Sequence, residues 1–363
     1  MTFSTADRDA MARALALAEQ GLATTTPNPR VGCVIMRDGA TVGEGWHRRA
    51  GEPHAEILAL TAAGEAARGA TAYVTLEPCS HFGRTPPCAD ALIAAGLTRV
   101  VAAMEDPNPK VAGRGLDRLR TAGITTDCGL LADEAHELNI GFISRMARSR
   151  PWLRLKVAAT LDGKTALENG VSQWITGPEA RADGHRWRAR ACAILTGIGT
   201  VKADDPQLTV RDHPCERQPL RILLDPLLEV APAARILQGA PALIVTAADN
   251  NAARTRQLAE SGHRVLTLPS QDGRIDLPAL MRELAALELN EIHVEAGATL
   301  NGALLAAGCV DELLLYLAPM VVGNAARGMF DLPALTALDA AVRFEVRECR
   351  QIAGDLRVIV RIT

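Results

Sequence analysis

The sequence predicts an α/β protein of two domains, and three observations carry that expectation. Short β-branched runs alternate with helical-looking runs along the chain, the order expected for helices packed on a mostly parallel sheet. With 363 residues, the chain is long enough for two domains that each bury a core. Between 139 and 151 it reads N-I-G-F-I-S-R-M-A-R-S-R-P, taken as the approach to a linker, so domains are expected at 1–147 and 148–363.

In the first domain, residues 5–21 place Met11, Leu15, Leu17 and Ala18 near helical spacing, and Gly21 ends that helix. T-P-N-P-R-V-G-C-V-I-M is a turn entering a strand at 31–36, and Asp38-Gly39 is a hairpin signal feeding a second strand at 41–46. Asn28 lies in that first turn, where an amide either contacts a ligand or caps the chain. A helix at 55–67, a strand at 72–76, a helix at 89–95 and a strand at 99–104 continue the alternation. D-P-N-P-K, 106–110, is then a loop at the carboxyl end of a strand, where α/β sheets bind ligands. A helix at 111–122 and a short strand at 124–127 follow, and the arginines beyond Asn139 read as a solvated helix end.

The second domain begins at Trp152. Residues 153–160 are β-rich, and L-D-G-K-T-A after them is a turn carrying Asp162 and Lys164. Residues 175–190 form a helix with Pro178 in its first turn and a basic face. A strand at 193–196 runs into G-I-G-T, 197–200, which suits a loop that approaches a phosphate. A-D-D-P-Q-L-T-V-R ends in Arg211, a further candidate anion contact. Strands at 221–225, 242–246 and 264–268, a helix at 277–289 and a strand at 291–295 lead to A-G-A-T-L-N-G-A-L-L, a glycine-bearing turn into a helix. A helix N-terminus behind glycine is an anion site, but the G-x-G-x-x-G fingerprint is absent, so a standard Rossmann domain is not inferred. A strand at 311–318 and a hairpin of 342–346 with 356–362, around Gly354-Asp355, close the chain.

Composition narrows the function. Hydrophobic residues make up 48%, which excludes a disordered chain, and the apolar run at 313–322 is too short to cross a bilayer. The N-terminus lacks a basic region followed by an apolar core, so a cytoplasmic protein is expected. Eight cysteines are scattered, and free thiols rather than a disulfide framework are expected. Net charge is −3 and aromatics are 3%, whereas gripping single-stranded nucleic acid calls for a basic groove and stacking rings. A small-molecule substrate is expected, with no nucleic acid and no membrane partner.

The chemistry concentrates between His54 and Cys88. P-H-A-E, 53–56, and E-P-C-S-H-F-G-R-T-P-P-C, 77–88, supply one imidazole and two thiols, His54, Cys79 and Cys88. These satisfy three positions of tetrahedral Zn²⁺ and leave the fourth for water, the pattern of a catalytic site rather than a closed structural one. Cys88 follows two prolines and opens a helical run, where the helix dipole favours a thiolate. Glu56 is a non-ligand carboxylate placed to move a proton between that water and a substrate nitrogen. H-x-E followed by P-C-x-x-C is the signature of zinc nucleobase deaminases. Here eight residues, not two, separate Cys79 from Cys88, and that polar, proline-rich insertion reads as a substrate-facing loop. Buried core residues are the competing account of two cysteines and a histidine; the joint occurrence of H-A-E, E-P-C and a third ligand favours zinc.

Longer motifs extend this reading. T-P-N-P-R-V-G-C-V-I, G-E-P-H-A-E, E-P-C-S-H-F-G-R-T-P-P-C and D-P-N-P-K-V-A-G-R-G-L resemble the deaminase half of the bifunctional riboflavin-biosynthesis deaminase/reductase family. A-T-L-D-G-K-T-A, S-Q-W-I-T-G, G-I-G-T-V-K-A-D-D-P-Q-L-T-V-R and V-E-A-G-A-T-L-N-G resemble its reductase half. The resemblance covers nearly the whole chain. It implies a cytidine-deaminase-like three-layer α/β/α domain and a dihydrofolate-reductase-like α/β domain. The first would deaminate a diamino-pyrimidinone carrying a phosphoribosylamino group; the second would use NADPH to reduce the ribosyl group to ribityl. A homo-oligomer, dimer or tetramer, is also implied.

By matching motif, zinc falls to His54, Cys79 and Cys88, with Glu56 as proton shuttle. Cofactor positions fall at Ala158, Trp174, Thr200, Asp204, Thr246, Gly297, Ala298, Thr299, Leu300, Asn301, Gly302 and Ala303. Ser172, Arg188, Leu208, Arg211 and Glu295 match substrate positions, and the two arginines suit a phosphate. Asn28 is the substrate candidate of the deaminase half, and Asp162 and Lys164, in D-G-K, are expected near the reacting sugar. One departure is Ala296, where the family's V-E-G-G has glycine; its methyl is expected to tighten the turn around the cofactor phosphate.

Two rival readings use the same residues. A nucleoside or tRNA deaminase fused to an unrelated reductase is opposed by the Cys79–Cys88 spacing and the acidic balance. A zinc-stabilised binding protein without turnover is opposed by Glu56, which a structural site does not need.

Overall fold

Side chains alternate between two cores along each central strand of the N-terminal part. The computed structural model describes residues 2–80, 86–109, 111–247, 251–271 and 273–363, and the chain divides into two units, Met1–Ser149 and Arg150–Thr363. The first unit contains strands β1 (Gly32–Arg37), β2 (Ala40–Trp46), β3 (Thr71–Val74), β4 (Arg99–Ala102) and β5 (Thr125–Cys128). They form one sheet in the order β2-β1-β3-β4-β5, with β1 antiparallel to both neighbours and the rest parallel.

Cys33, Ile35, Ala72, Val74, Val100 and Ala102 face one core; Val34, Tyr73 and Val101 face the other. Because strand side chains point alternately to opposite faces, helices must cover both. On the first face lie α2 (Ala55–Ala63), α3 (Cys88–Ala94) and α4 (Arg114–Thr121); on the second lie α1 (Thr5–Glu19) and α5 (Ala132–Leu138). The expected three-layer α/β/α arrangement is therefore present.

Helix α2 approaches β2 at a distance only glycine allows. A Cβ on Gly43 would lie 2.2 Å from the Ala59 carbonyl oxygen, and one on Gly45 would lie 2.5 Å from that of Ala55. The helix that follows His54 is thus seated directly on the sheet.

The stretch taken as the approach to a linker is helix α6 (Ile140–Arg148), whose Phe142 is buried in the core, and the division between the two units falls directly after it. Its arginines are used internally: Arg145 donates to the Pro27 carbonyl at 3.1 Å and lies 5.9 Å over the Phe142 ring, and Arg148 donates to Ser144 Oγ. They lie in the last turn of the helix, Arg145 half-buried and Arg148 exposed. Helix α4 begins at Arg114 and not at 111, because the preceding backbone is held as a loop by a buried carboxylate described below.

The second unit is built on a nine-stranded sheet. In spatial order its strands are Arg264–Thr267, Ala242–Thr246, Leu220–Leu224, Ala193–Gly197, Glu291–Glu295, Trp152–Thr160, Glu312–Ala318, Asp355–Ile362 and Phe344–Ile352. The first seven are parallel and the last two add an antiparallel hairpin. Runs such as A-L-I-V-T are buried along their whole length, as strands covered on both faces are. Fully buried Arg154 on the central strand pairs with Glu291 at 3.1 Å and with Glu312, and its guanidinium lies 4.3 Å over Trp187. The G-I-G-T segment expected as a loop instead opens helix Ile198–Asp204, with Gly197 as its N-cap. Among the described residues no helix is long and apolar enough to cross a membrane.

Gly43→Ala is expected to destabilise the first unit by about 1–3 kcal/mol, the usual range for overpacking, and to lower its metal content by displacing His54. Urea unfolding and metal analysis check this; a variant with unaltered midpoint and metal content would contradict the close-packing argument.

Candidate active sites

His54 is the N-cap of α2, and Cys88 is the first residue of α3. Cys79 follows β3, and Ala89 donates its N–H to the Cys79 carbonyl, drawing the two cysteines together. His54 Nδ1 lies 3.3 Å from Cys88 Sγ and 3.7 Å from Cys79 Sγ, and all three donor atoms fall within 4.8 Å of one another. A tetrahedral zinc with ordinary Zn–S and Zn–N bonds would separate its N and S ligands by about 3.5 Å. The donor set therefore fits a zinc ion without rearrangement.

The electrostatics agree. The hydrogen bond from Cys88 and the nearby His54 ring bring the Cys79 thiol down to about 4, while the same partnership and burial push Cys88 up. One of the pair is a thiolate before any metal arrives; a dication would complete the deprotonation of the other. Glu56, in the first turn of α2, is buried, and burial pushes its carboxyl up to about 7. It stands beside the three donor atoms with a carboxyl shifted toward neutrality, the range a general acid–base group needs.

Two buried residues that the sequence reading did not single out complete this site. The Glu77 carboxylate accepts backbone N–H groups of Asp106 at 3.1 Å, Gly113 at 2.9 Å, Gly115 at 2.7 Å and Leu116 at 3.2 Å. It serves as a remote cap for α4, satisfying N–H groups of the first turn that have no partner within the helix. A Cβ on Gly115 would lie 2.0 Å from the Pro78 carbonyl oxygen, so glycine lets this turn close over the segment bearing Cys79. His47 lies edge-on to His54, 5.3 Å between ring centres. Its Nε2 is 3.0 Å from Asn28 Nδ2 and its Nδ1 is 3.2 Å from the Pro53 carbonyl, which assigns the proton to Nδ1. Asn28, a candidate from sequence, is thereby tied to the metal ligand's neighbour. The spacing G-W-H-R-R-A-G-E-P-H was the available signal for His47. Most of the insertion, 81–85, lies outside the described residues.

In the second unit the candidates gather at the carboxyl ends of the parallel strands, where such sheets bind ligands. Ala158 is near the end of Trp152–Thr160, Thr200 and exposed Asp204 are on the helix after Ala193–Gly197, and Glu295 ends its strand. Gly297 is the N-cap of helix Ala298–Ala306, which carries Thr299, Leu300, Asn301, Gly302 and Ala303. A Cβ on Gly197 would meet Leu300 at 3.2 Å, so the two helix starts are adjacent. Trp174 is 68% exposed, with the Arg181 guanidinium 4.4 Å over one face of its ring. Ser172 is half-buried beside it.

Other candidates already have structural partners. The Thr246 hydroxyl donates to the Pro226 carbonyl at 2.9 Å. Gly302 packs against the Asp331 backbone, where a Cβ would lie 1.9 Å from its carbonyl oxygen. Ala296 packs against the main core, which accommodates the methyl that departs from the family motif. The Asp162 carboxylate accepts N–H groups of Val322 and Gly323 and lies 2.5 Å from the Thr160 hydroxyl, while Lys164 is half-buried on a short strand. Arg188 grips Glu295 with Nε at 2.5 Å and Nη2 at 2.9 Å, and donates from Nη1 to the Thr209 carbonyl. Burial alone would raise the Glu295 carboxyl, but the Arg188 guanidinium outweighs it and holds the group well below the ordinary range. Leu208 is buried, and Arg211 is exposed with Nη1 3.2 Å from Thr209 Oγ1.

Residues 151–358 match the family described as the RibD C-terminal domain. The chain belongs to the RibD family. Residues 4–104 also match the cytidine and deoxycytidylate deaminase zinc-binding region. The riboflavin biosynthesis protein RibD of Escherichia coli (strain K12) is 53% identical over 95% of this chain and 96% of its own length. That of Aquifex aeolicus (strain VF5) is 42% identical over 98% of each. Among solved structures, Acinetobacter baumannii RibD, form 2, superposes with a TM-score of 0.89 at 42% identity, covering 99% of both chains. The diaminohydroxyphosphoribosylaminopyrimidine deaminase/5-amino-6-(5-phosphoribosylamino)uracil reductase of Thermotoga maritima does so with 0.87 at 32%, again over 99% of both. The chain is thus an enzyme of riboflavin biosynthesis with a zinc-binding deaminase domain and a reductase domain. The resemblance read from the motifs holds over the full length, and the reading with an unrelated reductase falls.

In the metal-free protein the raised Glu56 carboxyl links stability to pH. Below the ordinary value of 4.5 the group is protonated folded or unfolded; between there and about 7 the folded chain keeps a proton that the unfolded chain gives up, so stability falls across that window. Relative to Glu56→Gln, metal-free wild type is expected to lose on the order of 1–3 kcal/mol over it. Parallel urea midpoints for the two proteins would contradict this.

Proposed function

We propose that the first unit hydrolytically deaminates a diamino-pyrimidinone bearing a phosphoribosylamino group, and that the second uses NADPH to reduce the ribosyl group of the product to ribityl. The observation that carries the reading is the convergence of His54 Nδ1, Cys79 Sγ and Cys88 Sγ within 4.8 Å beside a buried carboxyl, Glu56. Its support in the second unit is the adjacency of the helix start that carries Thr200 to the one behind Gly297, where a Cβ on Gly197 would meet Leu300 at 3.2 Å.

His54, Cys79 and Cys88 would hold the zinc, which would supply the Lewis-acid chemistry that makes water nucleophilic at neutral pH. Glu56 accepts the proton that water loses on attack at the amino-bearing ring carbon, then returns one to the departing nitrogen, so that ammonia leaves. Asn28, held by His47, is placed to orient the ring. The backbone gripped by Glu77 keeps the segment around Cys79 from relaxing.

NADPH held at this site would supply the hydride for the carbon exposed when the ribosylamine opens. The exposed Trp174 ring offers an apolar face to the cofactor, and the uncapped N–H groups after Gly297 suit its phosphates. Arg211, exposed and without a carboxylate partner at hydrogen-bond distance among the described residues, suits the substrate phosphate. Arg188 is engaged by Glu295, so its part is to hold that wall of the site. Asp162 and Lys164 remain the candidates nearest the reacting sugar.

Ammonia release and NADPH absorbance followed together, on zinc-loaded protein given the diamino substrate, test both halves. Ammonia first and NADPH loss after it is the expected order; NADPH loss without ammonia would overturn it. Glu56→Gln is expected to retain zinc and lower deamination by about 10²–10⁴-fold while leaving reduction of the deaminated compound intact. Near-normal deamination by that variant would remove Glu56 from the mechanism. Arg211→Ala is expected to raise KM for the phosphorylated reductase substrate about tenfold or more, the scale of a lost charge-assisted hydrogen bond, with NADPH affinity unaltered. Equal losses for both ligands would remove its phosphate role.

A further inference from the structure

The segment that carries Leu208 and Arg211 has little regular structure of its own. Leu208 is buried with φ +51°, a left-handed conformation that costs a branched residue energy unless its surroundings hold it. Helix Pro178–Arg190 supplies two attachments from positions three residues apart, which lie on one face. Arg188, braced by Glu295, donates to the Thr209 carbonyl at 2.9 Å. His185, itself 6% exposed, takes the next hold: its Nδ1 lies 3.2 Å from the Arg211 backbone N–H and its Nε2 lies 3.3 Å from the Asp212 carboxylate. On the other side of the segment, Gln218 accepts from the Val210 N–H and donates to the Val210 carbonyl.

This bonding pattern fixes one protonation state. Nδ1 must carry a lone pair to accept from Arg211, and Nε2 must carry the proton to donate to Asp212. The charged groups facing the ring are Arg188 on its own helix, Arg211 and Asp212 on the segment, and Glu295 at the strand end. Burial, with the cation of Arg188 next, brings His185 down to about 4, so the accepting state persists through the neutral range.

We infer that His185 is a positioning residue for the reductase reaction, whose neutral Nδ1 anchors the Arg211 backbone so that this guanidinium is presented to the substrate phosphate. The inference rests on the reading of Arg211 as the phosphate contact given above. The imidazole touches neither substrate nor cofactor; it acts only through the segment it holds.

The test measures KM and kcat of reduction for the deaminated phosphoribosyl compound and for its dephosphorylated riboside, with NADPH affinity as the check that the unit is folded. In His185→Ala the KM for the phosphorylated compound is expected to rise about tenfold, the scale of one lost hydrogen bond and its ordering effect. The riboside KM, kcat and NADPH affinity are expected to stay within about twofold. His185→Gln, whose amide both accepts and donates, is expected to restore most of the affinity. A merely structural histidine would move both substrates together and would not be rescued by an amide of different shape.

Should the alanine variant fail to fold, His185→Leu removes the acceptor while retaining volume and is compared with His185→Gln in the same way. A wild type that prefers the phosphorylated compound, with that preference unaltered in the acceptor-less variant, overturns the inference alone. A wild type with no preference overturns the phosphate reading of Arg211 and the inference with it.

Discussion

Helix α2 rests on β2 at a separation that a single methyl group would abolish, and the metal centre depends on that contact. With Gly43 and Gly45 beneath it, the helix start is fixed against the sheet, with His54 as its N-cap and Glu56 two residues on in its first turn. From the neighbouring end of the sheet, Cys79 and the first residue of α3 reach the same point. A tetrahedral site tolerates displacements of only a few tenths of an ångström in its ligands. Close backbone packing gives that precision more directly than longer side chains would, because it leaves no rotamers to reorganise.

A second layer of support comes from carboxylates and imidazoles that do no chemistry themselves. Glu77 spends its whole hydrogen-bonding capacity on four backbone N–H groups, which holds the 106–116 segment against the chain bearing Cys79. His47 links Asn28 to the turn before His54. Such interactions orient ligands without touching the ion, as outer-shell partners of metal sites do.

The second unit uses a different device. Its parallel strands bury most of their side chains on both faces, and the charge buried among them is paired: Arg154 on the central strand lies between Glu291 and Glu312. Glu295 and Arg188 neutralise each other at the edge of the site, and Asp162 is absorbed by two backbone N–H groups of the 320s loop. The helix start at Gly297, by contrast, has no side-chain cap, and the Trp174 ring and the Arg211 side chain are exposed.

The cluster of His54, Cys79 and Cys88 with Glu56 beside it was legible in the sequence because a candidate metal site depends on residue type within short windows, P-H-A-E and E-P-C with a third donor at Cys88. The alternation of strands and helices was legible for the same reason, since the periods of two and of 3.6 are local properties. The 139–151 stretch was legible as the run into the division between the units, but the hold of Arg145 on the carbonyl of Pro27 was not, because an arginine looks the same in sequence whether it meets solvent or a carbonyl more than a hundred residues earlier. G-I-G-T was read as a loop because its two glycines weaken a helix locally, whereas packing against Leu300 makes Gly197 a helix start. Glu77 and His185 had no signal of their own: their roles exist only once segments further along the chain supply the backbone N–H groups they hold. The sequence by itself determined which atoms can carry the chemistry. Only the tertiary structure decided which polar side chains are free for a ligand and which are consumed in holding the others, because hydrogen-bond capacity is shared out by neighbours in space and not by neighbours along the chain.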